Sequence, residues 1–173
     1  MTTMTAIDRR AAPSRAELRE LRLEIEEFNY AYAQALDDQD LHAWTEFFAD
    51  DGFYRITARE NWEANLPLGL IYCDGNGMLT DRANAVLETV TYAPRYHQHF
   101  NSNVRVTGVD PDGTVHATSN YLVLRTQIEE ETRIFESGRY FDRFEREGGV
   151  LRLKSRDCVY DTLTILNALI FPV

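Results

Sequence analysis

Two histidines, His97 and His99, are separated by a single residue in a segment whose composition predicts a β-strand. Because alternate residues of a strand point to the same side, both imidazoles would face one way and could share a metal ion. A non-haem iron site would also need a carboxylate, and the candidates are Asp74, Asp81 and Glu136, although the sequence places none of them beside the histidines. Two surface or interface histidines are the more ordinary interpretation of such a pair, and the metal site stays open as the alternative.

General acid–base catalysis is a second chemistry open to this chain, because it needs a carboxyl or imidazole group beside a tyrosine hydroxyl in a pocket. The candidates are Asp81, His97, His99, Tyr30 and Tyr54. Each also has a structural role to play. Asp81 would lie in the first turn of a helix, where a negative charge is favoured, and the two tyrosines would be core rings with solvated hydroxyls.

Other kinds of reactive site have little support in the sequence. The segment Gly75-Asn76-Gly77 lacks the further glycine and the lysine of a phosphate-binding loop, and no GxSxG nucleophile motif occurs. The two cysteines, Cys73 and Cys158, do not belong to a CxxC or CxH pair. Neither a disulfide framework nor a thiolate metal site is therefore expected.

The charge balance argues against nucleic acid as a partner. The 173 residues include 18 Lys or Arg and 28 Asp or Glu, which gives a net charge of −10, and no run of five basic residues occurs. Phosphate backbones and anionic lipid surfaces both bind through basic side chains, so both are disfavoured. Because there is no apolar leader and no apolar stretch long enough to span a bilayer, we expect a cytoplasmic protein with no membrane partner.

The length fits a flexible N-terminal arm, 1–13, followed by one domain, 14–173. The long first helix of that domain is predicted over 14–36, where apolar residues recur every three or four positions. Ser14 and Glu17 form a capping box at its start. Asp40 can cap a second, short helix that continues through residue 48.

A turn at 50–52 and a strand at 53–57 are predicted next, followed by an irregular excursion over 58–75 that includes a brief strand at its end. Helical spacing returns over 80–90, and Pro94 blocks any continuation. The first half of the chain is therefore predicted to consist mainly of helices.

The second half changes character. Four segments rich in Val, Ile, Thr, Tyr and Phe, separated by short turn-forming stretches, predict antiparallel strands at 96–107, 114–127, 132–144 and 150–161. Three helices followed by a strongly curved antiparallel or mixed sheet form an α+β layout, in which the long helix packs on the concave face. This cone resembles the NTF2-like (cystatin-like) fold of nuclear transport factor 2, ketosteroid isomerase and scytalone dehydratase.

Short stretches from about residue 24 onward, in a fixed order, carry a more specific resemblance. They include Phe28-Asn29-Tyr30-Ala31-Tyr32-Ala33, Tyr54-Arg55-Ile56-Thr57, Leu70-Ile71-Tyr72-Cys73-Asp74, Gly77-Met78-Leu79-Thr80-Asp81-Arg82, Tyr92-Ala93-Pro94-Arg95-Tyr96, Tyr121-Leu122-Val123-Leu124-Arg125 and Ser137-Gly138-Arg139-Tyr140. Together they resemble the small (β) subunit of aromatic-ring-hydroxylating dioxygenases, the Rieske non-haem iron oxygenases.

The resemblance implies a chain with no catalytic, cofactor-binding or metal-binding residues of its own. The Rieske [2Fe-2S] cluster and the mononuclear Fe(II) would belong to the partner α subunit, and the absence of a CxH or CxxH pair here agrees with this. It further implies an α3β3 hexamer in which the β subunits form a trimer. Electrons from NADH would arrive through a reductase or ferredoxin, and O2 would hydroxylate an aromatic compound, here an aromatic acid such as benzoate, salicylate or terephthalate.

A stand-alone lyase or isomerase with an acid–base pocket in the cone is the alternative. It predicts a roomy, polar-lined cavity, whereas the subunit hypothesis predicts a cavity filled by side chains.

A structural subunit also needs interface residues. We expect them to be Asp81 and Arg82 at the head of the third helix, Arg95 and His99 on the first long strand, and Arg139 and Tyr140 on the third. The tail over residues 163–173, which includes Leu169 and Phe171, carries hardly any charge and must be buried. It would form either the last strand of the sheet or a contact with another subunit.

Overall fold

A computed structural model describes residues 13–89, 94–162 and 170–173. Of the predicted arm over residues 1–13, residues 1–12 therefore lie outside the described residues. The elements in chain order are α1 Arg15–Asp37, α2 Leu41–Thr45, β1 Phe48–Ala58, α3 Arg59–Glu63, β2 Ile71–Asp74, α4 Asn76–Asn84, a π-helical turn Ala85–Thr89, β3 Arg95–Val109, β4 Val115–Gln127, β5 Arg133–Glu147 and β6 Val150–Tyr160. No helix among these residues is long and apolar enough to cross a membrane.

The six strands form one mixed sheet in the order β2-β1-β6-β5-β4-β3. All neighbours are antiparallel except β1 and β6, which run parallel. The four predicted long strands are confirmed, with ends that differ by at most three residues. The tight β5–β6 turn is formed by Gly148 and Gly149, whose φ angles of +59° and +90° suit a turn that matches the twist of a hairpin.

The predicted turn at 50–52 is wrong, because these residues lie inside β1. The register with β6 shifts between Phe48 and Phe53, so the strand bulges here instead of ending. Gly52 permits the bulge, since a Cβ at this position would lie 2.8 Å from the carbonyl oxygen of Ala49. Pairing with a strand a hundred residues away therefore extends β1 beyond what its own sequence indicates.

Helix α1 begins as predicted, with a complete capping box. The backbone N–H of Ser14 donates to Glu17 Oε2 at 2.7 Å, and that of Glu17 donates to Ser14 Oγ at 3.3 Å. The apolar stripe of α1 lies on the concave face of the sheet, where the ring of Phe28 meets that of Phe144 edge to face at 5.2 Å. The helix therefore covers this face of the sheet and packs mainly against β3.

Helix α4 begins at Asn76, four residues earlier than predicted. Gly75, with φ +83°, ends β2 and accepts the first helical hydrogen bond from Leu79 N at 3.3 Å. Asp81 therefore lies in the middle of the helix and not in its first turn, which corrects the expectation that its charge faces the helix dipole. The sequence also missed α3, whose five residues are too few to show a helical period.

The core is dominated by aromatic rings. Trp44, Phe48 and Tyr54 are buried and pack edge to face, with ring centroids 5.3–5.8 Å apart. Tyr54 is the core ring that the sequence predicts, but Tyr30 is not, because it lies on the outer side of α1 and is 53% exposed. On the convex face Trp62 of α3 stacks on Phe141 of β5 at 4.8 Å.

Candidate functional site

A buried ion pair lies at the centre of the cone. Arg156 of β6 donates from Nε and Nη2 to the two carboxylate oxygens of Asp142 on β5, at 2.8 and 2.9 Å, and its Nη2 also reaches Asn29 Oδ1 at 2.6 Å. The guanidinium lies between the rings of Tyr32 and Tyr140, 4.2 and 4.1 Å from their centroids. Both charged side chains are shielded from solvent, so the attraction between them and the two flanking rings must offset the cost of burying them.

The end of the described chain occupies the space beside this pair. The Val173 carbonyl oxygen accepts hydrogen bonds from the hydroxyls of Tyr32 at 3.2 Å and Tyr54 at 3.0 Å, and from the thiol of Cys158 at 3.5 Å. The backbone N–H of Val173 donates to the Tyr54 hydroxyl at 2.9 Å. The cone is therefore filled by the protein's own side chains and tail at the position where a pocket enzyme would need room.

The titration behaviour of these groups does not suit acid–base catalysis. Burial raises the pKa of Tyr54, Tyr140 and the Cys158 thiol well above their ordinary values. Burial likewise raises the pKa of Asp142, while the neighbouring Arg156 acts in the opposite direction. A general acid or base works best when its pKa lies near the working pH. Because the pKa values of Tyr54, Tyr140 and Cys158 lie well above their ordinary range, these groups stay neutral at the working pH and do not transfer protons.

Glu136 is the exception, and its position in the sequence suggests only a third metal ligand. Burial raises its pKa to about 7, although its Oε1 accepts a 2.5 Å hydrogen bond from the Tyr121 hydroxyl, which acts to lower it. Its Oε2 has no hydrogen-bond partner within the described residues, and the side chain is 0% exposed. Its pKa would suit a general acid or base, but the buried carboxyl group cannot reach a substrate.

The two histidines of the sequence motif have separate roles. His99 Nδ1 lies 2.6 Å from Asp37 Oδ1, and the His99 backbone N–H donates to both oxygens of the same carboxylate at 3.1 Å. This contact joins the end of α1 to β3. The ring of His97 lies between those of Phe135 and Phe171, at 5.5 and 5.3 Å. Burial, the neighbouring His99 and nearby arginines lower the pKa of His97 to about 4.

No three His, Cys, Asp or Glu side chains lie close enough to hold a metal ion in the part of the chain that the structure describes. Neither Asp74, Asp81 nor Glu136 therefore completes an iron site with the two histidines.

The predicted interface residues fall into two groups. Five of them make contacts inside the chain, namely Arg82, Arg95, His99, Tyr140 and Phe171. Arg82 Nη2 donates to the Ile170 carbonyl oxygen at 2.5 Å, and the Arg95 guanidinium lies 5.9 Å from the ring of Phe171. Tyr140 is 0% exposed and stacks on Tyr121, so it cannot touch a partner directly.

Two other predicted residues, Asp81 and Arg139, are exposed and free to meet a partner. Asp81 lines an open surface cleft of about 370 Å³ together with Leu70, Tyr72 and Met78. Leu169 and the rest of the predicted tail over 163–169 lie outside the described residues.

Comparison with known proteins places the chain among oxygenase subunits. The family model of the ring hydroxylating beta subunit matches residues 31–167. The anthranilate 1,2-dioxygenase small subunit of Burkholderia cepacia is 30% identical, over 82% of this chain and 88% of the relative. The beta 1 subunit of the terephthalate 1,2-dioxygenase terminal oxygenase component of Comamonas sp is 32% identical, over 87% and 97%.

A solved structure agrees with these relatives. The crystal structure assigned as the beta subunit of an aromatic-ring-hydroxylating dioxygenase from Novosphingobium aromaticivorans superposes with a TM-score of 0.81. Its sequence is 41% identical, and the match covers 90% of this chain and 98% of that one. The predicted α+β, NTF2-like cone is confirmed.

Proposed function

Because this chain belongs to the ring-hydroxylating beta subunit family, we propose that it is the structural, non-catalytic subunit of a multicomponent aromatic-ring-hydroxylating dioxygenase. The observation that supports the non-catalytic role is that the interior of the cone is filled by the chain itself. The Arg156–Asp142 pair and the Val173 backbone occupy its centre, where an enzyme of this fold would need a pocket.

The residues of this chain do not fit the ligand set of a Rieske cluster. It has no CxH or CxxH pair for a Rieske cluster, and its described residues include no cluster of three metal ligands. We assign the [2Fe-2S] cluster and the mononuclear Fe(II) to an oxygenase α subunit, with electrons from NADH delivered by a reductase or ferredoxin. This chain would support the α subunit in an α3β3 assembly.

An aromatic acid is the substrate class that we propose for the complex. Two relatives that match over more than four fifths of this chain at 30% identity or more are named for anthranilate and terephthalate, both aromatic carboxylates. The choice among such acids would be made in the α subunit, since the cone of this chain is filled.

A stand-alone lyase or isomerase is supported by one observation, the pKa of about 7 at Glu136 beside the Tyr121 hydroxyl. The complete enclosure of Glu136 opposes it, because a general acid or base must reach the proton that it transfers. We therefore favour the structural role.

Co-expression with an oxygenase α subunit from the same gene cluster tests the proposal. The tagged chain is purified, the complex is sized by light scattering, and iron is assayed in each separated subunit. We expect a large mixed assembly with iron in the partner alone. Stoichiometric iron on this chain, or a chain that never binds an α subunit, would contradict the proposal.

A further inference from the structure

Five buried polar atoms beneath helix α1 have no hydrogen-bond partner among the described residues. They are Asn29 Nδ2, Asn101 Oδ1, Ser119 Oγ, the Tyr140 hydroxyl and Arg156 Nη1. Protein interiors leave few polar groups unpaired, because a buried donor or acceptor has given up its hydrogen bonds to water. We call these five side chains the polar cluster. Their unpaired atoms need a partner that the described residues do not supply.

Contacts between these side chains show that they are neighbours. Arg156 Nη2 donates to Asn29 Oδ1 at 2.6 Å, and Asn101 Nδ2 donates to the Asn29 carbonyl oxygen at 3.2 Å. The Arg156 guanidinium lies 4.1 Å from the centre of the Tyr140 ring. Ser119 is the register partner of Tyr140, which brings their Cβ atoms to about 5 Å. The polar cluster therefore joins α1 to the four adjacent strands β3, β4, β5 and β6.

The hydrogen bonds already present fix which atom of each amide is unpaired. The Asn29 side chain must turn its oxygen to Arg156, and the Asn101 side chain must turn its nitrogen to the Asn29 carbonyl oxygen. Exchanging oxygen and nitrogen in either amide would set donor against donor or acceptor against acceptor. The polar cluster thus presents donors at Asn29 and Arg156 and an acceptor at Asn101, while its two hydroxyl groups can act either way.

Water is the ligand that suits this mixture of donors and acceptors. An anion would accept from Asn29 and Arg156 but would repel the Asn101 oxygen, and a cation would have the opposite fault. No net charge attracts an ion either, because both oxygens of Asp142 already bind Arg156, at 2.8 and 2.9 Å. A water molecule donates and accepts, and internal waters typically make about three hydrogen bonds to buried polar groups.

The polar cluster is closed to bulk solvent. Asn29, Tyr140 and Arg156 are 0% exposed, and Ser119 is 2% exposed. Any molecule held among them must be small, and it can leave only when the surrounding packing opens. This enclosure distinguishes such a molecule from surface hydration water, which exchanges with the solvent much faster.

We propose that the polar cluster is an internal hydration site, which holds about two ordered water molecules between α1 and the sheet. Five unpaired atoms, at about three hydrogen bonds for each water, give this number. The waters complete the hydrogen bonding of Arg156 and link Asn29 of α1 to strands that it does not reach directly. This site goes beyond the proposed function, because it belongs to the single chain and needs no partner subunit.

Oxygen-17 relaxation dispersion of water counts long-lived internal waters in a solution of the full-length chain. Ser119→Val removes one hydroxyl of the polar cluster and puts a methyl group in its place. We expect this variant to lower the dispersion amplitude by the equivalent of about one water molecule. Ser102→Val is the matched control, because it makes the same change at an exposed position of β3 and should leave the amplitude unchanged. All samples have one protein concentration, and thermal melts verify folding.

A high-resolution crystal structure of the natural chain is the second measurement, and it does not depend on how a variant folds. We expect density for ordered water within about 3.2 Å of Arg156 Nη1 or Asn29 Nδ2. Direct hydrogen bonds among the five atoms that exclude water would overturn the inference, and so would an ion at this position. Folded Ser119→Val with the same amplitude as Ser102→Val would also overturn it. Because none of these measurements involves an α subunit, their failure is distinct from failure of the proposed function.

Discussion

Replacing Glu136 by glutamine should change how the stability of the protein depends on pH. The carboxyl group is enclosed beneath β5, with one oxygen bound to the Tyr121 hydroxyl and the other without a partner in the described residues. Glutamine has nearly the same shape, keeps an oxygen for the Tyr121 hydroxyl and carries no charge at any pH. The substitution therefore removes the titration and leaves most of the packing in place.

The magnitude follows from the raised pKa. Below pH 4.5, the ordinary value, Glu136 is protonated in both the folded and the unfolded chain. As the pH rises, the unfolded chain loses this proton first, so the stability of the folded chain falls until its own carboxyl ionises at about 7. At about 1.4 kcal/mol for each tenfold change in proton affinity, the loss reaches about 3 kcal/mol above pH 7.

Urea unfolding followed by tryptophan fluorescence at pH 5 and pH 8 measures this effect, with all variants at one protein concentration. Relative to the natural chain, Glu136→Gln should gain up to about 3 kcal/mol between the two pH values. Glu130→Gln is the matched control, because Glu130 is exposed in the turn after β4. It should show no such gain.

A Glu136→Gln variant whose stability relative to the natural chain is the same at both pH values would refute the reasoning. Such a result would mean that the Glu136 carboxyl reaches water in the folded protein.

Two further substitutions probe the interior. Arg156→Met leaves Asp142 as an enclosed carboxylate without a cation and should lower the free energy of unfolding in urea by about 3–5 kcal/mol. Adding Asp142→Leu should recover most of this loss. Equal stabilities of the single and double variants would contradict the enclosure of the pair. The pKa of His97 is lowered to about 4 from 6.5, so the natural chain should lose up to about 3 kcal/mol as the pH falls through this interval. His97→Leu should abolish that loss, and an unchanged slope of stability against pH would show that the imidazole is solvated.

Local patterns in the sequence are sufficient to predict the elements that depend on local interactions. The capping box of Ser14 and Glu17, the apolar stripe of α1 and the alternation along β4 each show in a few neighbouring residues, and the structure matches them. The family stretches were likewise recognisable, because they are runs of adjacent residues.

The buried charges could not be predicted, because an alternating strand pattern does not show which charged residues the core accepts. In β5, Glu136 and Asp142 alternate regularly with the buried Tyr140, so their position is the one that apolar residues usually take. In β6, Lys154 is an extra residue between the pairs Phe144–Leu153 and Arg143–Ser155, so Arg156 and not Ser155 is turned into the core.

The interface residues were only partly predictable for a related reason. Arg82 and Arg95 are basic residues near an apolar tail, and sequence cannot distinguish a tail of the same chain from the surface of a partner. In the structure both side chains contact residues 170–171 of the same chain. Long-range contacts of this kind become visible only when the fold brings the two ends together.

The position of Val173 also sets an order of events during biosynthesis. Its partners Tyr32 and Tyr54 precede it by 141 and 119 residues. At roughly 5–20 residues per second, these two hydroxyls leave the ribosome roughly 6–28 s before the backbone group that they bind. Helix α1 and strand β1 are therefore synthesised well before Val173, and the remaining strands of the sheet are made in between. A ribosome that stalls before it reaches residue 173 would leave the hydroxyls of Tyr32 and Tyr54 without this backbone partner.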